Sequence, residues 1–132
     1  MPDIAEIPES HRDLTDRTVC VLSTLGSSGR PQSTAIWLML DDDGIIRTSL
    51  QNSRQKYKNM LAHPKATIFA MDTTNPYRTL EVRCDVVVAD DPDLSMMRRI
   101  VEYYGNDFDT FPAPREGRVK VEFMPRRVIA QG

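Results

Sequence analysis

Residues 32–50 have the sequence QSTAIWLMLDDDGIIRTSL, and this stretch predicts a β-hairpin. Two runs rich in β-branched and large apolar residues flank an Asp-Gly pair, a dipeptide that tight hairpin turns favour. We therefore expect two antiparallel strands, residues 32–40 and 45–50, joined by a turn at residues 41–44.

Strand-like runs of the same kind lie on both sides of this hairpin. Residues 17–25 precede it, and a Gly-Ser-Ser-Gly turn separates the two. The runs 66–71, 79–89 and 118–123 follow it, and residues 127–131 continue the last run beyond a proline. Apolar and charged residues alternate in the run 118–123, as expected for a strand with one buried face.

Helices are expected between these strands and before them. Ser53 is a favourable N-cap for a helix whose apolar residues recur at Tyr57, Met60 and Leu61. A His-Pro pair at residues 63–64 ends this helix. A second helix is expected to open at an Asp-Pro pair, residues 91–92, and to end at a glycine, residue 105. A short helix over residues 10–16, capped by its first residue, would turn Leu14 inward.

Six short strands with two inserted helices predict a mainly β protein, a small antiparallel barrel. The alternative is an open α+β sheet with helices on one face. We prefer the barrel because the strands are many, short and flanked by tight turns.

Length and composition restrict the protein to a few classes. A chain of 132 residues is one domain, residues 1–132, and its polar residues 1–9 are expected to form a loose arm. The net charge of −2 excludes a globally basic nucleic-acid binder, and no apolar run is long enough to span a membrane. Without a secretory signal, Cys20 and Cys84 are expected to be reduced and buried in a cytoplasmic protein. No CxxC or HExxH motif suggests a metal site.

The most informative feature is a stretch without acidic residues. Residues 44–71 contain no Asp or Glu but five cations, Arg47, Arg54, Lys56, Lys58 and Lys65. Two of these would lie in the first turn of the helix capped by Ser53, where cations oppose the helix dipole. Such a helix start, with free N–H groups and several cations, favours an anion such as phosphate.

Other candidate residues carry less information. His11 and His63 belong to no nucleophile or metal pattern and are expected at the surface. The three aspartates of the hairpin turn predict a turn rather than a metal site. Trp37 could equally line a ligand pocket or belong to the core.

An anion site without an acid–base or nucleophile constellation leaves two classes of function. One is a cofactor enzyme, in which a phosphate-bearing redox ring does the chemistry and the protein binds and orients it. The other is a barrel that binds an anionic polymer, which would need aromatic platforms among the basic residues. Only Tyr57 lies among the cations, so the enzyme is preferred.

Several segments resemble one family of flavoproteins. They are GRPQSTAIW (29–37), TSLQNSRQKYKN (48–59), AHPKATI (62–68), NPYRTLEVR (75–83) and GRVKVEFMPRRV (117–128). Their order is similar to the split β-barrel of the pyridoxamine-phosphate-oxidase-like proteins, and within that group to reductases that use the deazaflavin coenzyme F420. One departure is Cys84, where the family commonly has glycine.

The resemblance implies a set of cofactor-binding residues. Arg54 and Lys56 would hold the phosphate, and Lys58, Lys65 and Arg78 would supply charge for the carboxylates of the coenzyme's tail. The ring and the ribityl chain would lie along two strands, and a partner subunit would contribute a third segment. These residues would be Ser33, Thr34 and Ala35; Thr48, Ser49 and Leu50; and Tyr77, Arg78 and Thr79 of the partner.

The resemblance also implies an activity. A homodimeric oxidoreductase would bind reduced coenzyme F420 and transfer a hydride to an unsaturated organic acceptor, a small molecule. An FMN-dependent oxidase or reductase of the same fold, and a non-catalytic barrel that binds the deazaflavin or another anion, are the alternatives. The resemblance assigns no residue of the protein to acid–base or nucleophilic chemistry.

Overall fold

Seven strands make up one antiparallel sheet in a computed structural model that describes residues 3–132. They are β1 (Cys20–Leu25), β2 (Pro31–Ile36), β3 (Met39–Leu40), β4 (Ile46–Gln51), β5 (Lys65–Asp72), β6 (Asn75–Asp90) and β7 (Arg118–Gln131). The strand order is β2-β1-β5-β6-β7-β4-β3, and the sheet curls into a half-barrel. The mainly β split barrel predicted from the sequence is confirmed.

Three helices accompany the sheet in the part of the chain that the structure describes. A 3-10 helix (Glu9–Thr15) precedes β1, α1 (Gln55–Ala62) connects β4 to β5, and α2 (Ser95–Tyr103) lies between β6 and β7. None of the helices within residues 3–132 has the length and the apolar character needed to cross a bilayer.

The last two long strands exceed their predicted lengths. β6 has 16 residues and β7 has 14, and they pair with each other along most of their length. The loop expected at residues 72–76 is a tight turn, because the Asp72 carboxylate accepts hydrogen bonds from the N–H and the hydroxyl of Thr74. The β6–β7 register shifts between Arg83 and Cys84, opposite Pro125. The departure from the family pattern therefore coincides with an irregular point of the sheet.

The strand predicted at residues 32–40 is interrupted at Trp37 and Leu38. The ring of Tyr104 stacks on Trp37 with centroids 4.5 Å apart and planes 5° from parallel. Its hydroxyl accepts the N–H of Leu38 at 2.9 Å, and the carbonyl oxygens of Leu38 and Thr18 lie within donating distance. A side chain from the end of α2 thus replaces a strand partner and separates β2 from β3.

The observed start and buried face of α1 differ from the predictions. α1 begins at Gln55 with Arg54 at its N-cap and no side-chain cap, so the Ser53 cap is wrong. Leu61, expected inside, is 54% exposed. Its place on the buried face is taken by Asn59, whose amide donates to Thr24 Oγ1 and Gln32 Oε1 at 3.1 Å each. This polar anchor holds α1 against β1 and β2.

The second and first helices also differ from expectation in their caps. The N-cap of α2 is Leu94, without a side-chain cap, and the helix begins at Ser95, so the predicted start at the Asp-Pro pair is wrong. Asp91 is buried and still accepts the N–H groups of Met96 and Met97 in the first turn. The N-terminal 3-10 helix has Pro8 at its N-cap and no side-chain cap, so the predicted Ser10 cap is also wrong. Leu14 is buried as predicted.

The core lies inside the curl of the sheet. Leu22, Ile68, Val82, Val121 and Phe123 are almost fully buried there, and Cys20 and Cys84 are buried and free. A smaller cluster of Met97, Val101 and Phe108 lies beneath α2. The described part of the N-terminal arm is not loose, which corrects the prediction. Ile7 belongs to the core, and the Ala5 N–H donates to the Pro125 carbonyl at 2.9 Å.

Candidate functional site

A cavity of about 310 Å³ lies at the open side of the half-barrel. Its walls come from β2 at one end of the sheet, from β4 near the other end, from the start of α1 and from α2. The two strands are not paired with each other, so both offer backbone and side chains to the cavity. This position lets one ligand contact both ends of the sheet.

Lys56 provides the buried positive charge of this site. It is only 7% exposed, and its Nζ lies 3.3 Å from Thr34 Oγ1. No carboxylate pairs with it among residues 3–132. Burial removes the ammonium group from water and Arg54 repels it, and both effects lower the pKa of Lys56. An anion in the cavity would relieve both costs.

Arg54 lies at the N-cap of α1 and lines the same cavity. The first N–H groups of a helix have no partner within the helix, and its dipole places partial positive charge there. Ser49, on β4, adds a buried hydroxyl for which residues 3–132 supply no hydrogen-bond partner. Two cations, a helix start and an unsatisfied hydroxyl together form a site that an anionic oxygen would complete.

The opposite wall of the cavity is apolar. Phe111 lies 5.8 Å from Trp37 between ring centroids, and α2 contributes Met97, Ile100 and Val101. Of the two roles considered for Trp37, the structure therefore supports the pocket wall, because Trp37 lines the cavity and is only half-buried against Tyr104. A flat hydrophobic ring would bury its apolar surface against this wall.

Sequence reasoning missed part of this wall. Phe111 and Pro114 belong to the irregular connection 104–117, which has no periodicity that would assign an inward face. Arg118, at the start of β7, also lines the cavity, and alternation along the strand placed it only on the polar face. The sequence held no signal that this connection folds back over β4.

Half of the expected cofactor residues line the cavity, namely Ala35, Thr48, Ser49, Leu50, Arg54 and Lys56. Thr34 does not line the cavity, but its Oγ1 lies 3.3 Å from the Nζ of Lys56, which does. Ser33 is exposed and its hydroxyl lies 2.8 Å from that of Ser23. Lys58 is exposed on α1 and is not part of the lining.

The remaining expected residues, Tyr77, Arg78 and Thr79, lie on β6 away from the cavity of their own chain. Tyr77 is 85% exposed. Arg78 binds the carboxylates of Asp13 and Asp72 and the carbonyl of Ser10. Its guanidinium therefore ties the β5–β6 hairpin to the N-terminal helix.

Two other cations of the acid-free stretch are paired. Arg47 binds Asp41, Asp43 and Glu122, and this contact holds the pKa of the Asp43 carboxyl below its ordinary value. Lys65 lies 3.0 Å from Asp85. The three aspartates of the hairpin turn thus include two that anchor an arginine. Arg54, Lys56 and Lys58 are the cations of this stretch that form no ion pair within residues 3–132.

The histidines are placed differently from one another. His63 is exposed as expected, but His11 is buried, so its predicted surface position is wrong. Its Nε2 donates to the Gln131 carbonyl at 2.8 Å, and its Nδ1 lies 2.8 Å from Ser10 Oγ. His11 thus joins the N-terminal helix to the last strand. Within residues 3–132 no group of His, Cys, Asp and Glu side chains could hold a metal ion.

Residues 7–132 match the profile of a family described as pyridoxamine 5'-phosphate oxidase. The chain belongs to this family. A solved structure named F420 reductase shares 30% identity and a TM-score of 0.84, over 93% of this chain and 98% of that one. These matches confirm the family predicted from the sequence.

Two more distant members of the comparison share the fold. A conserved hypothetical protein from Mycobacterium tuberculosis has 20% identity and a TM-score of 0.75, over 99% of this chain and 88% of that one. HutZ, the heme storage protein from Vibrio cholerae, has 12% identity and a TM-score of 0.69, over 97% and 96% of the two chains. Comparison with curated proteins finds no match. These two likenesses show the shared fold.

Proposed function

We propose that this member of the pyridoxamine 5'-phosphate oxidase family is an oxidoreductase that binds reduced coenzyme F420 and transfers a hydride to an unsaturated organic acceptor. The observation that carries the proposal is Lys56, a buried ammonium group that lines the cavity and has no carboxylate partner within residues 3–132. Burying such a charge costs free energy unless a ligand neutralises it. A phosphate group of the cofactor would do so.

The other walls of the cavity fit the rest of such a cofactor. Arg54 and Lys56 would hold the phosphate, with the Ser49 hydroxyl close by on β4. Phe111 and the apolar residues of α2 would exclude water from the ring. The bound cofactor supplies the redox chemistry, and the residues of this chain bind and orient it. The 30% identity to a protein named F420 reductase favours the deazaflavin over FMN.

The same proposal includes a homodimer, which a different surface supports. The outer face of β1 and β5 exposes Val21, Phe69 and Met71, and we call this group the outer patch. Val21 and Phe69 are cross-strand neighbours. Contiguous apolar side chains of this kind are typical of protein interfaces. A second copy that covers the outer patch would bring Tyr77, at the tip of the β5–β6 hairpin, to the partner's surface.

The first test compares cofactors. Wild-type protein is titrated with coenzyme F420 and with FMN, and Arg54→Ala is titrated in parallel. Charge-assisted hydrogen bonds contribute about 1.5–3 kcal/mol each, so the variant should bind its cofactor about tenfold more weakly or worse. Arg127→Ala is the matched control, because Arg127 is exposed and does not line the cavity. Equal binding by wild type and Arg54→Ala would contradict the phosphate site.

The second test measures turnover. Reduced coenzyme F420 is mixed with catalytic amounts of protein and with a quinone, a tetrapyrrole or an enone, and its oxidation is followed spectroscopically. We expect protein-dependent oxidation with at least one acceptor. Tighter binding of FMN, with no oxidation of the deazaflavin, would favour the FMN enzyme. Tight binding of the deazaflavin without turnover of any acceptor would favour a binding protein.

A further inference from the structure

Arg118 is fixed at the same end of the cavity as the proposed phosphate site. It is the first residue of β7 and pairs in register with Gln51, the last residue of β4. The N–H of Asn52 donates to the Gly117 carbonyl at 2.8 Å, so the start of β7 is attached to the turn that leads into α1. Arg118 and Arg54 therefore enter the cavity from adjacent segments.

The guanidinium of Arg118 has unused hydrogen-bonding capacity. Its Nε donates to the Pro114 carbonyl at 2.8 Å. The hydrogen bonds and ion pairs within residues 3–132 include none from its Nη1 or Nη2. The neighbouring carboxylate, Asp91, is occupied by the backbone N–H groups that it accepts at the start of α2. The charge of Arg118 is therefore not neutralised by an ion pair.

The electrostatics of Arg118 resemble those of Lys56. Partial burial disfavours its charged form, and repulsion by Arg115 and Arg54 outweighs the attraction of Asp91, so the pKa of Arg118 lies below its ordinary value. An arginine stays protonated at any physiological pH, so the repulsion remains as a cost of the ligand-free site. Among the described residues, three cations and no carboxylate line the cavity.

We propose that Arg118 is a third anion-binding residue of this site, and that the site takes ligands with at least two negative charges at their anionic end. This inference rests on the proposed function. Its planar guanidinium can donate two parallel hydrogen bonds to a phosphate or a carboxylate. The second charge could be the second ionised oxygen of a phosphate monoester, as in FMN. It could equally be a carboxylate that follows a phosphodiester, as in coenzyme F420.

The test measures binding, with ligands that differ only in their anionic end. Wild type, Arg118→Ala and Arg118→Lys are titrated with FMN and riboflavin, and with coenzyme F420 and its core without phosphate and tail. Lys120→Ala is the matched control, because Lys120 lies two residues along the same face of β7 but does not line the cavity. Thermal unfolding of each variant shows that it is folded.

We expect Arg118→Ala to weaken binding of the charged ligand about tenfold or more, Arg118→Lys to weaken it less, and Lys120→Ala to leave it unchanged. Binding of the uncharged core should be the same in all four proteins. If Arg118→Ala weakens the binding of FMN, the second charge is that of the phosphate monoester; if it weakens the binding of coenzyme F420, the second charge is a carboxylate of the tail.

If Arg118→Ala binds every ligand like wild type, or loses charged and uncharged ligands equally, the inference is overturned. Loss of binding in Arg54→Ala together with normal binding in Arg118→Ala would contradict this inference alone. Normal binding in Arg54→Ala would instead contradict the proposed function.

Discussion

At the scale of single residues, Lys56 shows a conflict between stability and binding. Its ammonium group is buried beside Arg54 without a carboxylate, so the folded protein disfavours the charge that the unfolded chain carries freely. Because its folded-state pKa lies below the ordinary value, the charge destabilises the ligand-free fold at neutral pH. This cost is fully present below the lowered pKa and disappears as the pH rises from that value to the ordinary pKa of 10.5.

The variant Lys56→Met should therefore raise the thermal unfolding midpoint of the ligand-free protein at neutral pH. It should also weaken binding of the phosphate-bearing cofactor about tenfold or more. Lys58→Met is the comparison, since Lys58 is exposed two residues away, and it should leave the midpoint nearly unchanged. Calorimetry and cofactor titration of both variants measure the two effects. A lower midpoint for Lys56→Met would show that the buried charge is compensated within the protein.

The sequence could identify site residues that belong to a local pattern, but it could not identify contacts between residues that are distant in the chain. The absence of acidic residues from 44–71 singled out Arg54 and Lys56, because the pattern lies in adjacent residues. Arg118 is distant in sequence and reaches the cavity only through the pairing of β7 with β4. Asn59 ends the segment 48–59 that carries part of the family resemblance, but its role as a polar anchor depends on Thr24 and Gln32 of other strands.

At the scale of elements, Tyr104 replaces a strand partner where β2 and β3 separate. Tyr104→Phe keeps the stacking on Trp37 but removes the hydroxyl that accepts the Leu38 N–H. A buried backbone group without a partner costs about 1–3 kcal/mol, so the variant should lose about that much free energy of unfolding. Chemical denaturation measures the loss.

Tyr103→Phe is the control, because the Tyr103 hydroxyl binds only the exposed carboxylate of Asp16. An exposed contact of this kind contributes at most about 1 kcal/mol. Similar losses in the two variants would argue against a special role for the Tyr104 hydroxyl.

The attachment of the N-terminal helix should depend on pH. Arg78 lowers the pKa of Asp13, and the pKa of Asp72 is lowered by Thr74 and then by Arg78. Carboxylates whose folded-state pKa lies below the ordinary value of 3.8 stabilise the fold above that value. This stabilisation is lost as the pH falls through the lowered values. The thermal midpoint should therefore fall as the pH is lowered from 5 toward 3.

The variant Asp72→Asn should have a lower midpoint at pH 6 and a shallower fall in acid. Asp42→Asn should behave like wild type, because Asp42 is exposed and forms no ion pair within residues 3–132. Thermal scans over this pH range, at low and high salt, compare the three proteins. Parallel curves for wild type and Asp72→Asn would exclude a contribution from this carboxylate.

Turns between elements were easier to predict than the lengths of elements. The Asp-Gly hairpin lies where the dipeptide indicates, since the Gly44 backbone has a positive φ of 84° that glycine adopts freely. Strand length instead depends on how far a neighbour continues. β6 extends to Asn75 because β5 pairs with it up to Asp72, and no local pattern records this pairing. The Ser53 cap is wrong because the helix starts later, at Gln55, with Arg54 at its N-cap.

At the scale of the whole molecule, the outer patch should control assembly. Phe69 is 40% and Met71 46% exposed, and Phe69→Lys would place a charge in the centre of the proposed interface. We expect the wild type to sediment as a dimer at micromolar concentration and Phe69→Lys to sediment as a monomer with weaker cofactor binding. Leu61→Lys is the control, because Leu61 is exposed on α1 away from the outer patch. A wild-type monomer that binds cofactor tightly would contradict the dimer.

The sequence could predict that the sheet curls into a barrel, but not the detailed shape of the curled sheet. Many short strands with tight turns favoured a barrel over an open sheet, and the half-barrel confirms this. The cavity between β2 and β4 is shaped by Trp37, which stacks on Tyr104, and by the connection that carries Phe111. Tyr104 and Phe111 both follow α2 in the chain, so no local pattern within the strands records their positions.

Trp37, which stacks on Tyr104, is also an intrinsic fluorescence probe. Trp37 is the only tryptophan of the chain, and its indole lines the cavity in which the cofactor is proposed to bind. Its emission therefore comes from this one place, and a chromophore that absorbs at the emission wavelength would quench it by energy transfer over this short distance. Occupancy could then be followed in unlabelled protein, and stopped-flow measurements of the same signal would give association and dissociation rates.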